Sequence, residues 1–177
     1  MGFRLLLLLF CAISILPAAA GTVYDNGPIN GTTDAWTINF GFVVSDTFTV
    51  STGNTSITGL SFGAWLFPGD VLESVEVSMT SEAFGGTTYF DQVVSFSESG
   101  CTENQFGFNV CTETGTFNGP TLPNGTYWLN LQNAVVNTGD PIYWDENSGI
   151  GCSSPGCPSI AQENDCISNG LVGCIPS

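Results

Sequence analysis

The chain has 177 residues and sixteen acidic side chains against one basic one, with no histidine, for a net charge of −15. The single base, Arg4, falls inside the first twenty residues, so from residue 21 onward carboxylates are the only charged side chains. This excludes Ser–His–Asp and Cys–His nucleophile sites, lysine Schiff bases, phosphoryl transfer and histidine metal sites. Nucleic acid is excluded as a partner too, because phosphate binding relies on Lys and Arg.

Residues 1–20 read as a secretory signal peptide. Arg4 forms a short basic start, an apolar run extends from Leu5 to Leu16, Pro17 breaks it, and Ala18-Ala19-Ala20 supplies a small-residue cleavage pattern. The run is shorter than the roughly 20 residues needed to span a bilayer. The expected mature chain, residues 21–177, carries all sixteen acids and a net charge near −16. It is expected to be secreted or held at the cell surface, with no membrane attachment after cleavage.

Period-two alternation follows in chain order. Trp36, Ile38, Phe40 and Phe42 form one apolar row, Leu60, Phe62, Ala64 and Leu66 the next, then Val75, Val77 and Met79, then Val94 and Phe96, then Tyr127, Leu129 and Leu131. Each predicts a strand with one dry and one wet face. Turn signals such as Asn30-Gly31, Pro68-Gly69-Asp70, Gly85-Gly86, Pro123-Asn124-Gly125 and Thr138-Gly139-Asp140 separate them. Many short strands so punctuated predict an all-β fold, specifically an antiparallel β-sandwich with jelly-roll-like topology over residues 21–148. A closed barrel is the alternative.

Six cysteines lie beyond the leader: Cys101, Cys111, Cys152, Cys157, Cys166 and Cys174. An even count in an exported chain predicts disulfides. No C-x-x-C spacing or histidine supports zinc. Cys101 and Cys111 are placed to staple a hairpin or the loop at its end. The other four fall in residues 149–177, where the alternation disappears, and predict a disulfide-tied irregular tail.

The chemistry left open is that of carboxylates and aromatic rings. Trp65 and Trp128 sit out of phase with the apolar rows of their strands, and Tyr143-Trp144-Asp145-Glu146 joins two rings to two acceptors. Rings stacking on pyranose faces, with carboxylate and amide groups bonding hydroxyls, need no cation. These six residues are the expected ligand contacts, and extracellular polysaccharide or other surface proteins the expected partners. Glycoside hydrolysis needs only two carboxyls, and Asp145 with Glu146, or Asp70 with Glu73, are its candidates. No cofactor is required. Calcium, a cation that takes oxygen ligands, is the one ion the composition favours, with Asp25, Asn26, Asp34, Asp140, Asp145 and Glu146 in turn-like segments.

Several segments in order, Val23–Pro28, Val44–Val50, Gly59–Trp65 followed by Pro68-Gly69-Asp70, Phe84–Thr87, Gly125–Ala134 and Asp140–Asn147, resemble the exported bacterial β-sandwich proteins often found with a PEP-CTERM sorting tail. The resemblance covers roughly residues 23–149. It implies a secreted or surface-displayed protein of a bacterium that makes extracellular polysaccharide, and no defined activity. The Pro-Glu-Pro tail with its apolar span and basic end is absent, and the chain stops at Ser177 where such proteins usually run on, so truncation is expected. The leading expectation is a non-catalytic matrix or surface protein for polysaccharide association or adhesion. The alternatives are a structural or assembly protein of the envelope or biofilm, then a carboxylate-based glycosidase.

Overall fold

The structure, a computed structural model, describes residues 21–146 and the backbone of residues 160–163. The leader, Cys152, Cys157, Cys166 and Cys174 lie outside the described residues.

Every regular element among the described residues is a strand: β1 (Asp34–Thr37), β2 (Phe42–Val50), β3 (Thr55–Ser56), β4 (Gly59–Leu66), β5 (Leu72–Glu82), β6 (Gly85–Glu103), β7 (Asn109–Thr116), β8 (Thr121–Leu122), β9 (Gly125–Val136), β10 (Tyr143–Glu146) and β11 (Ile160–Glu163). Nine of them form one antiparallel sheet in the order β1-β10-β4-β7-β6-β5-β9-β2-β11, and β3 pairs with β8. The long strand β6 joins the two halves of the large sheet. Its first part pairs with β5, from Gly85 to Ser95, and its second with β7, from Phe96 to Glu103.

The sheet nearly closes at one residue. The Ile38 carbonyl accepts from the Ala134 amide at 3.0 Å, in β9, while the Ile38 amide donates to the Ile142 carbonyl at 3.1 Å, just before β10. Ile38 thus ties the two halves together. The single alternating strand expected from Trp36 to Phe42 is therefore two. Phe40 and Gly41 have φ of 56° and 87°, a left-handed turn that ends the alternation, with Phe40 exposed to solvent.

Apolar residues from both halves, including Ile38, Val44, Leu66, Leu72, Val77, Met79, Leu131 and Ile142, form one buried cluster. The predicted strands at Leu60–Leu66, Val75–Met79, Val94–Phe96 and Tyr127–Leu131 lie in β4, β5, β6 and β9. Their expected wet faces are not all wet. All five residues from Phe62 to Leu66 are buried, because another segment covers the outer side of β4. The Cys101–Cys111 disulfide joins β6 to β7, as the spacing of the two cysteines suggested. Within the tail expected to be irregular, residues 160–163 add a strand antiparallel to β2.

Candidate functional site

Trp65 is the centre of the only extended ring cluster on the outer side of its half-sheet among the described residues. On β4 it projects away from Ala64 and Leu66, and its cross-strand partners on that side are Val110 of β7 and Tyr143 of β10. The loop between β6 and β7 then folds over it. Asn104 shapes this loop: its Oδ1 accepts from the Phe106 and Phe108 amides at 3.0 and 3.1 Å, and its own amide donates to the Phe108 carbonyl at 2.8 Å. Such side-chain-to-backbone bonds are the reason Asn favours tight turns. Gly107, at φ 83°, supplies the left-handed step.

The loop stacks Phe106 on Trp65, with centroids 5.6 Å apart and planes at 23°. Phe108 sits among Trp65 at 5.8 Å, Tyr143 at 5.5 Å and Phe67 at 4.8 Å. Five rings therefore form a continuous shelf. Trp65 is its floor at 6% exposure, while Phe106 is 56% exposed and presents its ring to solvent.

Beneath the shelf, Asp145 anchors the segment that covers β4. Its carboxylate accepts from the Trp65 indole Nε1 at 2.6 Å and from the Asn30 and Gly31 amides at 2.9 and 3.0 Å. Residues 29–32 thereby lie as a strap over Gly63, where a Cβ would come within 2.7 Å of Ile29 and 2.8 Å of Asp145. Burial pushes the Asp145 carboxyl above the usual range, against the lowering effect of these three donors. The hairpin loop is bound to the strap as well: Asn104 Nδ2 donates to the Gly31 carbonyl at 3.1 Å and Gln105 Nε2 to the Thr32 carbonyl at 3.3 Å. Between strap and hairpin runs a groove of about 410 Å³ lined by Asn30, Thr32, Thr102, Glu103, Asn104 and Gln105. The groove thus presents hydroxyl, amide and carboxylate groups with the apolar Ile29 and Val110, without a cation, and its Gln105 directly precedes Phe106.

Of the six expected contacts, Trp65 and Tyr143 belong to the shelf and Asp145 supports it. Trp144 faces the other way and meets Phe62 edge-on at 6.1 Å, against the core. Glu146, buried, shares the Trp144 side of β10, so Asp145 and Glu146 are divided by the sheet. Trp128 lies in the other half-sheet, opposite Thr47 of β2 and Thr80 of β5. Near it Asn130 is fully bonded, accepting from Ser45 and the Phe84 amide and donating to Ser78 and Thr80, beside a smaller cleft of about 180 Å³. Phe67, Phe106 and Phe108 escaped the sequence reading. The signal for Phe106 and Phe108 was two phenylalanines in a mostly polar loop enclosed by Cys101 and Cys111, whereas Phe67, directly after β4, carried none.

Among the described residues, no three of the acids named for calcium gather their carboxylates at one point, although Asp34 and Glu146 are cross-strand partners. Asp25 accepts from the Gly27 amide, Asp34 from the Ala35 amide, and Asp145 holds the strap. Among the described residues, the one close grouping of three ligand types is Glu98, Cys101 and Cys111, and its two sulfurs are bonded to each other. Comparison of the chain with known protein families, with characterised proteins and with solved structures finds no match.

Proposed function

We propose that this is a non-catalytic, exported bacterial protein that associates with extracellular polysaccharide through the ring shelf and the groove beside it. In this reading the two half-sheets are the layers of a jelly-roll-like β-sandwich, in keeping with the resemblance to PEP-CTERM-associated exported proteins. The observation that carries the proposal is Phe106. A loop side chain held at 56% exposure over a buried tryptophan offers apolar area that folding did not cover. Beside it, the groove groups suit sugar hydroxyls, and an uncharged aromatic face suits the C–H face of a pyranose. The two carboxyl pairs that hydrolysis would call on give less support: Asp145 and Glu146 face opposite ways, and Asp70 accepts from Thr138 at 2.8 Å while Glu73 is exposed. The test is a glycan array probed with the oxidised domain, followed by affinity electrophoresis in the polysaccharide retained best. Phe106→Ala should weaken retention at least tenfold and Trp128→Ala should leave it unchanged; the reverse pattern, or no glycan retained, contradicts the proposal.

A second reading, assembly of an envelope or biofilm layer, has one observation in its favour. Each part of β6 has a strand partner on one side alone among the described residues, and Val93 on that strand is 70% exposed. An open stretch of strand edge can template pairing with another chain. Concentration-dependent oligomers that are lost in Val93→Lys would favour this reading.

A further inference from the structure

Glu113 is the least expected side chain in the molecule. It lies in the middle of β7, cross-strand from Phe62 of β4 and from Glu98 of β6. Sharing the core side with Phe62 and Cys111, it is 0% exposed, and neither carboxyl oxygen has a hydrogen-bond partner. From the protein's own groups, a buried carboxyl can be stabilised by a cationic side chain, by hydrogen-bond donors, or by remaining protonated. The first route is closed by the sequence, which has no Lys, Arg or His after residue 4. The second is closed by the local geometry. Only the proton is left.

We infer that Glu113 is a proton-operated latch on the β6–β7 edge: as a neutral acid it lets β7 lie sealed against the core, and on ionisation it drives that edge open. The surroundings all act in one direction. From β6 the facing group is Glu98, on β4 no residue from Gly59 to Leu66 titrates, and on β7 the nearby Cys111 is in a disulfide. Further along the same side, beyond Phe62, β10 contributes Glu146, which pairs with Asp34 of β1. The one titratable ring in the buried cluster, Tyr127, donates its proton to the Pro123 carbonyl at 3.0 Å. No group here would offset a negative charge at Glu113. Burial, with Glu98 adding repulsion, raises its carboxyl from 4.5 to about 7.

The element that would move is suited to it. The Phe96–Glu103 part of β6 is bonded on one side alone among the described residues, so its release breaks one ladder. The Cys101–Cys111 bond keeps its far end tied to β7, so release is local and reversible. In the open form Glu113 reaches water and ionises as an ordinary glutamate. Between pH 4.5 and about 7 the closed form therefore holds the extra proton. The advantage of closure is full below this window, declines as pH rises through it, and does not recover above it. The inference does not depend on what the shelf binds.

Amide hydrogen exchange of β6 and β7, corrected for intrinsic rates, tests it on the full oxidised domain at pH 5 and pH 8. The opening equilibrium should increase on the order of 50-fold across that interval in the native protein. It should be nearly flat in Glu113→Gln. In Glu98→Gln, where the altered side chain is exposed, the increase should level off at lower pH and be smaller, without loss of the fold. A carbon-13 titration of the native Glu113 carboxyl, with an inflection near neutrality, gives the same answer if Glu113→Gln does not fold. Glu113 titrating below pH 5, or equal pH dependence in the native and Glu113→Gln proteins, overturns the inference.

Discussion

At the residue scale, the site depends on one carboxylate and two glycines. Asp145 collects three donors from two distant parts of the chain, so its loss frees the Trp65 indole and the strap together. Asp145→Asn keeps a single acceptor oxygen and turns a donor toward donors. It should cost about 1–3 kcal/mol in denaturant unfolding, since bonds to charged groups are the stronger kind. Gly63→Ala would press a methyl group between Ile29 and Asp145. A cost of about 1–3 kcal/mol is expected for such overpacking, with a change in Trp65 fluorescence as the strap lifts. Gly31 is constrained in two ways, by φ of +63° and by Val110 against its would-be Cβ, so an alanine there should be at least as damaging. Phe106→Ala, by contrast, removes an exposed ring and should leave the unfolding midpoint nearly unchanged.

At the level of elements, the β6–β7 hairpin carries both a covalent link and the proposed ring shelf. Its disulfide closes a short loop, cysteines 101 and 111 being ten residues apart. By loop-closure entropy this contributes about 2–3 kcal/mol. The paired variant Cys101→Ser with Cys111→Ser should lose roughly that amount in unfolding free energy. Its first sign should be faster exchange at Phe106 and Phe108, while β5 and β9 keep their protection. The strands and this disulfide were legible in the sequence because alternation and cysteine spacing are local signals. Two features were not. Trp65 and Trp128 carry the same out-of-phase signature, yet they lie in different half-sheets, and Trp65 is covered by Phe106 and Phe108 from a loop about 40 residues downstream. Phe40 continues the apolar alternation of Trp36 and Ile38, yet the closing bonds of Ile38 require a turn directly after it. Long-range coverage and closure decide both cases, and neither is written in a window of a few residues.

At the scale of the whole molecule, the absence of any base beyond Arg4 sets the electrostatics. Fifteen or more like charges on one small domain repel each other without salt bridges to offset them, so stability depends on burial, hydrogen bonds and covalent closure. The melting temperature should therefore rise by several degrees as ionic strength increases from about 0.01 M to about 0.15 M, where the screening length falls from about 30 Å to about 8 Å. It should also be higher at pH 5 than at pH 8. Part of that difference is general repulsion, and the part removed by Glu113→Gln is the enclosed carboxyl. With no basic side chain beyond Arg4, contact with an uncharged glycan in the proposed function is apolar and hydrogen-bonding. Chemical-shift mapping during titration with the best-retained glycan oligosaccharide reads this most directly. Perturbed signals should gather at Phe67, Asn104, Gln105, Phe106, Phe108 and Tyr143. Perturbations centred on Trp128 and the opposite half-sheet, or the same map obtained with Phe106→Ala at unchanged affinity, would contradict the proposed function.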